Sequence, residues 1–216
     1  MNRYMEKLKA DSRGYIFAFI RELGCKINQT YYTLLGRMQL SLKGIKAEDA
    51  VFYNKPYFYR CPESSIKIGK NCIFDSSTHH NAIGVNSCCI LATLTKQAQL
   101  SIGDKVGCSG VKIGCANRIT IGDDCLVGAN AVITDTDWHP LDPAKRYETA
   151  HDNPAIKTKP VIIGKNVFIG VNSIILKGST IGDNSVIGAG SVVSGNIPAN
   201  VIAAGNPCKV IKSFPN

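Results

Sequence analysis

The sequence predicts an all-β chain wound as a parallel β-helix, and three observations carry that prediction. Across residues 163–193 it repeats every six residues, opening at Ile163, Ile169, Ile175, Ile181 and Ile187 before Val193. The second residue is usually Gly (Gly164, Gly170, Gly182, Gly188) and the fifth is small (Ser173, Ser179, Ser185, Ser191). The same beat is kept upstream at Ile121, Val127 and Ile133, and more raggedly through Ile102, Ile83 and Ile68. A six-residue period is the mark of a β-helix, in which three units close a triangular coil and coils stack about 4.8 Å apart. The opening aliphatic residue fills the prism interior. Gly suits a corner where the backbone leaves the ordinary β region, and the small fifth residue leaves room beside the aliphatic stack. An ordinary sheet protein with Gly-rich turns would space its strands irregularly, at about eight to twelve residues.

Residues 1–60 form a helical and aromatic N-terminal cap in this reading. Tyr4, Leu8, Tyr15, Phe19 and Leu23 partly keep helical spacing, as an amphipathic helix does when it packs on its own chain or a sister subunit. With Arg3, Lys7, Lys9 and Arg13 nearby, peripheral docking on a membrane surface is the second reading. The apolar run 15–20 is too short for a secretory core or a membrane span, and Glu6, Asp11 and Glu22 flank it, so a cytoplasmic protein is expected. Phe52, Tyr53, Tyr57, Phe58 and Tyr59 cluster around Pro56 and are expected to close one end of the prism, since an open coil end is a bare sheet edge. The β-helix is assigned to 61–196, irregular up to 136 with an insertion at 94–99. The period then breaks at 137–160, which reads as an extended loop, and long loops on rigid scaffolds tend to carry function. A C-terminal tail, 197–216, holds Pro198, Pro207 and Pro215 with Lys209 and Lys212.

Composition narrows the partners. Twenty-five basic against sixteen acidic residues leave a formal charge of +9, without a Lys/Arg block or an RNA-binding signature. A phosphorylated cofactor or an anionic glycan is therefore the expected partner, and nucleic acid is not. The nine cysteines are odd in number, and Cys108 and Cys125 occupy repeat slots that elsewhere hold Val, Ser or Ile. They read as small apolar packing residues in a reducing compartment, and of the adjacent pair Cys88-Cys89 one is expected inside and one outside. No C-x-x-C pair or Cys/His ligand spacing is present, so no metal site is expected.

Of the four histidines, His79 and His80 lie in the irregular region and His151 in mid-loop. His139 stands where the last regular strand leaves the prism, within Asp135-Thr-Asp137-Trp138-His139-Pro140. An imidazole held there can take a proton from a hydroxyl and return it to a leaving group, with Asp135 and Asp137 orienting the ring or binding substrate. The same residues also read as a polar turn with Asx-type caps. On spacing alone both readings stand.

Ile-Thr-Asp-Thr-Asp-Trp-His139-Pro, the loop, the Ile-Gly hexapeptides and the ending from Ile187-Gly-Ala-Gly-Ser-Val to Ala-Ala-Gly-Asn-Pro-Cys-Lys209 resemble the hexapeptide-repeat acyltransferases. The nearest branch is the galactoside and maltose O-acetyltransferases and their relatives in polysaccharide biosynthesis. The resemblance is close over 100–212, loose over 60–100 and absent before 60. It implies a left-handed β-helix, which spacing alone does not, because crossovers are right-handed by default. It also implies a homotrimer with acetyl-CoA as donor and a sugar or glycan acceptor. His139 matches the catalytic base. Val171, Ala189, Ser194, Gly195, Lys209 and Lys212 match donor contacts, the two lysines at the nucleotide phosphates. Ser109 and Asn117 match acceptor contacts where the family has Asn and Asp, and Asp137 and Trp138 join the substrate side, the indole placed to stack on a sugar face or to wedge the loop. Ser194-Gly195 replaces the usual Thr-Lys, and Lys replaces Arg at both tail positions, so phosphate meets a point charge instead of a fork. Rivals are an N-acetyltransferase of a nucleotide-linked amino sugar, a serine O-acetyltransferase, which carries a larger helical N-domain, a γ-type carbonic anhydrase, for which histidines at coil spacing are lacking, and a structural solenoid.

Overall fold

The computed structural model describes residues 11–78, 81–148 and 153–214. Its body is a left-handed parallel β-helix, as expected. The first face stacks Lys46–Ala47, Ser65–Ile68, Gln99–Ile102, Arg118–Ile121, Val161–Ile163, Thr180–Ile181 and Asn196–Ile197. On the second lie Val51–Tyr53, Ile73–Asp75, Gly107–Ser109, Leu126–Val127, Phe168–Ile169, Val186–Ile187 and Val201–Ala204, closed by Lys209–Ser213 running antiparallel. The third stacks Tyr57–Arg60, Ile90–Thr93, Lys112–Cys115, Val132–Thr134, Ile174–Ile175 and Val192–Val193. The other pairings within the three faces are parallel and in register, so Ile121 lies over Ile163 and Ile163 over Ile181.

The hexapeptide logic holds inside and is amended at the corners. Ile169, Ile175, Ile181, Ile187 and Val193 are buried in the prism axis. The fifth-place serines are buried too, and they hydrogen-bond instead of merely sparing room. Ser173, Ser179 and Ser185 donate to the carbonyls of Gly188, Val193 and Pro198, one coil on, at 3.1, 3.0 and 2.8 Å. The second-place glycines do not sit at left-handed φ, contrary to the expectation. They are glycines because the next coil is too close: a Cβ on Gly170 would lie 2.5 Å from the backbone nitrogen of Ala189, and one on Gly128 2.7 Å from that of Val171. The left-handed residue is the fourth: Asn166, Asn172 and Asn184 have φ of 53°, 58° and 57°, and Gly178 and Gly190 take the same place. Asn tolerates that region best among residues with a Cβ, and its amides stack, Asn166 donating to Asn184 at 2.9 Å and Asn184 to Asn200 at 3.0 Å.

Two boundaries move. The prism begins at Lys46 instead of 61 and runs to Ala204 instead of 196; at its start Phe52 and Phe58 of the aromatic cluster fill the first coils while Tyr57 and Tyr59 face outward. Phe52, Phe58 and Phe74 are fully buried, Phe52 stacking on Phe74 at 5.6 Å and meeting Phe58 edge-on at 5.8 Å. Ile83 opens no repeat: it lies 64% exposed in an insertion at 76–89 between the second and third faces, larger than the 94–99 corner. The N-terminal helix is one long element, α1 (Ser12–Leu42), capped by the Asp11 carboxylate at 2.8 Å from the Gly14 nitrogen. Its second half closes the prism end, with Gly36 against the Phe52 ring, Leu40 buried, and the Phe52 nitrogen donating to the Thr33 hydroxyl. No described helix is long and apolar enough to cross a membrane. The cysteines behave as packing residues: Cys72, Cys89, Cys108, Cys115 and Cys125 are buried, Cys88 half-buried, and burial pushes the Cys89 thiol up to about 11.

Candidate active site

Corners stack into columns, and the sequence-selected residues divide between two of them. The column joining the third face to the first contains 116–117, the loop 135–160, Lys177-Gly178 and Ser194-Gly195. The column joining the second face to the third runs past Ser109 through Gly128 to Asn130, Val171 and Ala189, and ends beside Lys209. The third face separates them.

The loop leaves the first of these columns through a built exit. Asp135 is fully buried and spends both carboxylate oxygens on the corner one coil below, accepting from the Ala116 nitrogen at 2.6 Å and the Asn117 nitrogen at 2.8 Å. It therefore does not orient His139. Burial pushes its pKa up, and the two N–H donors pull the other way. The loop ends are tied as a short ladder: Asp137 donates its N–H to the Lys157 carbonyl at 3.1 Å, Lys159 to the Asp135 carbonyl at 2.9 Å, and Thr136 bridges Thr158. From the coil above, the Lys177 ammonium meets Asp137 Oδ1 at 3.4 Å, while the buried Oδ2 has no hydrogen-bond partner among the described residues.

Trp138 follows in a left-handed conformation, φ 66°, with its N–H toward the Thr136 hydroxyl at 3.3 Å. Its six-membered ring covers the bare backbone of Gly114, where a Cβ would stand 2.5 Å from Cζ2. One side of the indole thus wedges the loop against the third face, while the residue stays 41% exposed. His139 comes next, exposed and without a side-chain partner among the described residues, and buried Pro140 anchors the chain behind it. The loop then runs outward through a 3₁₀ turn, Pro143–Lys145, exposing Leu141 and Tyr147. His151, like His79 and His80, lies outside the described residues.

Beneath the exit lies a polar groove of about 660 Å³, lined by Thr95, Gln97, Gln99, Asn117, Arg118 and Thr158 among others. Asn117 is the only one of these that the sequence singled out, and its amide reaches the Thr158 hydroxyl at 3.4 Å. The rest, like Lys177, lie in corners or outward strand positions that the repeat leaves free, so no periodic signal marks them. Among the described residues no group of His, Cys, Asp and Glu could hold a metal ion.

The second column is smooth. Val171 and Ala189 lie one above the other, the Gly190 nitrogen donating to the Val171 carbonyl at 2.8 Å, beside Gly128, Gly170 and Gly188. At its end Ala204 pairs with Lys209, and Ile202 with Lys212, both lysines exposed. Ser109 belongs here, not with Asn117: its carbonyl accepts from Asn130 at 3.0 Å. Asn130 in turn clamps the 76–89 insertion, accepting from the Asn86 nitrogen and donating to the Gly84 carbonyl. Ser194 and Gly195 lie across the third face, in the column of the loop.

Comparison with known proteins places this geometry. The family model for the hexapeptide repeat of succinyl-transferase matches residues 118–134 and 160–194. Comparison with curated protein sequences gave no match. Among solved structures, a galactoside acetyltransferase in complex with coenzyme A is 27% identical, aligned over 88% of this chain and 79% of its own, with a TM-score of 0.53. A maltose O-acetyltransferase from Clostridium difficile 630 is 39% identical, but the alignment spans 54% of this chain and 59% of that one, with a TM-score of 0.48. An N-acyltransferase from Bacillus cereus, AntD, in complex with dTDP and coenzyme A, shares the fold at 20% identity and a TM-score of 0.60 over 82% of this chain and 89% of its own.

Proposed function

We propose that this chain, whose resemblance to the hexapeptide-repeat acyltransferases the repeat model and the solved structures bear out, transfers an acetyl group from acetyl-CoA to a hydroxyl of a sugar or glycan precursor. The observation that carries this reading is the pair of columns. One presents an exposed imidazole at a rigid exit above a polar groove. The other is a smooth corner, stripped of Cβ atoms at Gly128, Gly170 and Gly188, along which a narrow pantetheine arm can approach Val171 and Ala189 before its phosphates meet Lys209 and Lys212.

Within one chain the columns lie on either side of the third face, so a complete site needs a neighbour. A homotrimer supplies it, the loop of one protomer reaching the smooth corner of the next. Ile73, Leu126 and Phe168 line the outside of the second face, each about half exposed, whereas the outside of the first face carries Lys46, Lys67, Ser101, Thr120 and Thr180, with Ile162 as a single large apolar residue among them. That asymmetry suits a prism with one side turned to a sister subunit.

His139 acts as general base, taking the hydroxyl proton as the acceptor oxygen attacks the thioester carbonyl carbon. The C–S bond breaks and His139 returns the proton to the departing thiolate, with no acyl-enzyme. Backbone N–H groups of a corner meet the negative charge on the carbonyl oxygen. Ser194 and Gly195, in the column of the loop, meet the donor arm only across the subunit boundary, while Asn117, Asp137 and the open side of Trp138 face the acceptor. Ser109, in the donor column, meets the acceptor only at the subunit boundary.

The test is loss of thioester absorbance with acetyl-CoA and sugars, nucleotide-linked amino sugars or serine as acceptors. One class of sugar hydroxyl should support turnover, and His139→Ala should lower it roughly 10²- to 10⁴-fold with the fold intact. Near-normal turnover in that variant removes the assigned base. Turnover with the amine or with serine alone moves the acceptor to the corresponding rival.

A further inference from the structure

The longest element of the structure has a face that nothing among the described residues covers. At 3.6 residues per turn, the side of α1 that packs on the prism carries Asn28, Tyr32, Gly36 and Leu40. About half a turn away runs a stripe of Ile16, Ile20, Leu23, Ile27, Leu34 and Met38, every member between 49% and 73% exposed. The spacing from Ile16 to Ile27 is four, three, four, and Thr30 and Leu34 continue it, with Tyr31 beside the seam at 60% exposure. That is the 3.5-residue repeat of a helix that winds against another helix. The stripe is continuous over the half of α1 that rests on the prism and the half that does not, so it is no by-product of intramolecular packing.

We infer that this stripe is the seam of a helix–helix interface with a second copy of this chain. Each stripe residue leaves on the order of 100 Å² outside, so with Tyr31 the stripe offers roughly 700 Å² per copy, close to the roughly 800 Å² per partner of a standard stable interface. Phe17 and Phe19, 69% and 65% exposed on the two flanks of the seam, add to it. Within α1 the charges are Arg13, Arg21, Lys26 and Arg37 against Glu22, with Glu22 and Lys26 paired along the helix at 3.1 Å. A copy of α1 matches the stripe in length and period by construction. The inference goes beyond the acetyltransferase reading and does not depend on it.

The experiment is site-directed oxidation of the full chain. Ile27→Cys puts a thiol in the seam, while the native Cys25 lies on the other side of the helix and makes the wild type its own control. Under mild oxidation Ile27→Cys should yield at least about tenfold more dimer-sized product than wild type, and Ile20→Asp with Leu34→Asp in the same chain should remove it. A yield no higher than wild type overturns the seam, even where sedimentation shows a trimer, so failure of the seam and failure of the trimer are told apart. Flotation with anionic phospholipid vesicles that needs the stripe, without cross-linking in solution, assigns the face to a membrane and equally overturns the inference.

Discussion

Gly114→Ala tests the loop exit with a single methyl group. The new Cβ would sit 2.5 Å from Trp138 Cζ2 and 2.8 Å from Cη2, against about 3.5–4 Å for carbon atoms in contact, so the indole must retreat by roughly 1 Å. Trp138 has little freedom to do so. Its backbone is already left-handed, and the neighbouring Asp137 is tied to Lys157 and Lys177. Overpacking of this kind costs about 1–3 kcal/mol, which in a chain of this size lowers Tm by roughly 3–10 °C. The displacement passes to His139, the next residue, and a misplacement of about 1 Å can lower turnover about 100-fold. Thermal unfolding and thioester loss read the two effects separately. The double variant Gly114→Ala/Trp138→Ala should recover most of the stability and little of the turnover, a non-additivity expected of residues in contact. A single variant that melts and turns over as wild type, or a double variant whose losses simply add, would refute the wedge.

Three further outcomes follow from the same structure. Ile187→Ala, at a fully buried rung, should cost about 2–5 kcal/mol in urea unfolding; a cost below about 1 kcal/mol would mean the stack collapses around it. Because the folded carboxyl of Asp135 binds its proton more tightly than the unfolded one, wild-type stability relative to Asp135→Asn should be greatest below the ordinary carboxylate pKa. It should fall as pH rises from there through the raised folded value, and a difference that grows with pH would contradict it. Lys209→Ala with Lys212→Ala should raise the KM for acetyl-CoA and leave kcat nearly unchanged, since both lie at the end of the donor column, away from the loop exit; unchanged KM would remove the phosphate placement.

How much of this was legible depends on what the six-residue period encodes. It reports one inward residue per side of the prism, so the interior from Ile163 to Val193 could be read directly. It says nothing about why a corner residue is small, and so the glycines were assigned to φ when they answer to the next coil, while the left-handed Asn166, Asn172 and Asn184 went unnoticed. Where an insertion interrupts the count, the phase is lost. Ile83 looked like an opening because, within the 14 residues at 76–89, Ile83-Gly84-Val85-Asn86-Ser87 copies the true repeat at Ile169-Gly170-Val171-Asn172-Ser173. The aromatic cluster was located but misplaced, because Phe52, Phe58 and Phe74 fill coils whose interior no longer follows the Ile rule. His139 was found from its position at the break. Its surroundings were not, since the Asp135 corner, Lys177 and the groove arise from residues brought together only when coils stack.

The last strand carries a meaning of its own. Each coil of such a prism is a template for the next, and nothing in the repeat specifies a length; a chain ending on bare Val201–Ala204 would invite the first coil of another molecule and grow by accretion. Lys209–Ser213 answers this by reversing direction, offering an incoming parallel strand the wrong polarity, with two lysines on the rim. Charged, exposed edges of this kind resist further pairing. At the opposite end α1 serves as the lid. The prism is thus a ruler cut at both ends, and its finite length is written in the residues that depart from the repeat.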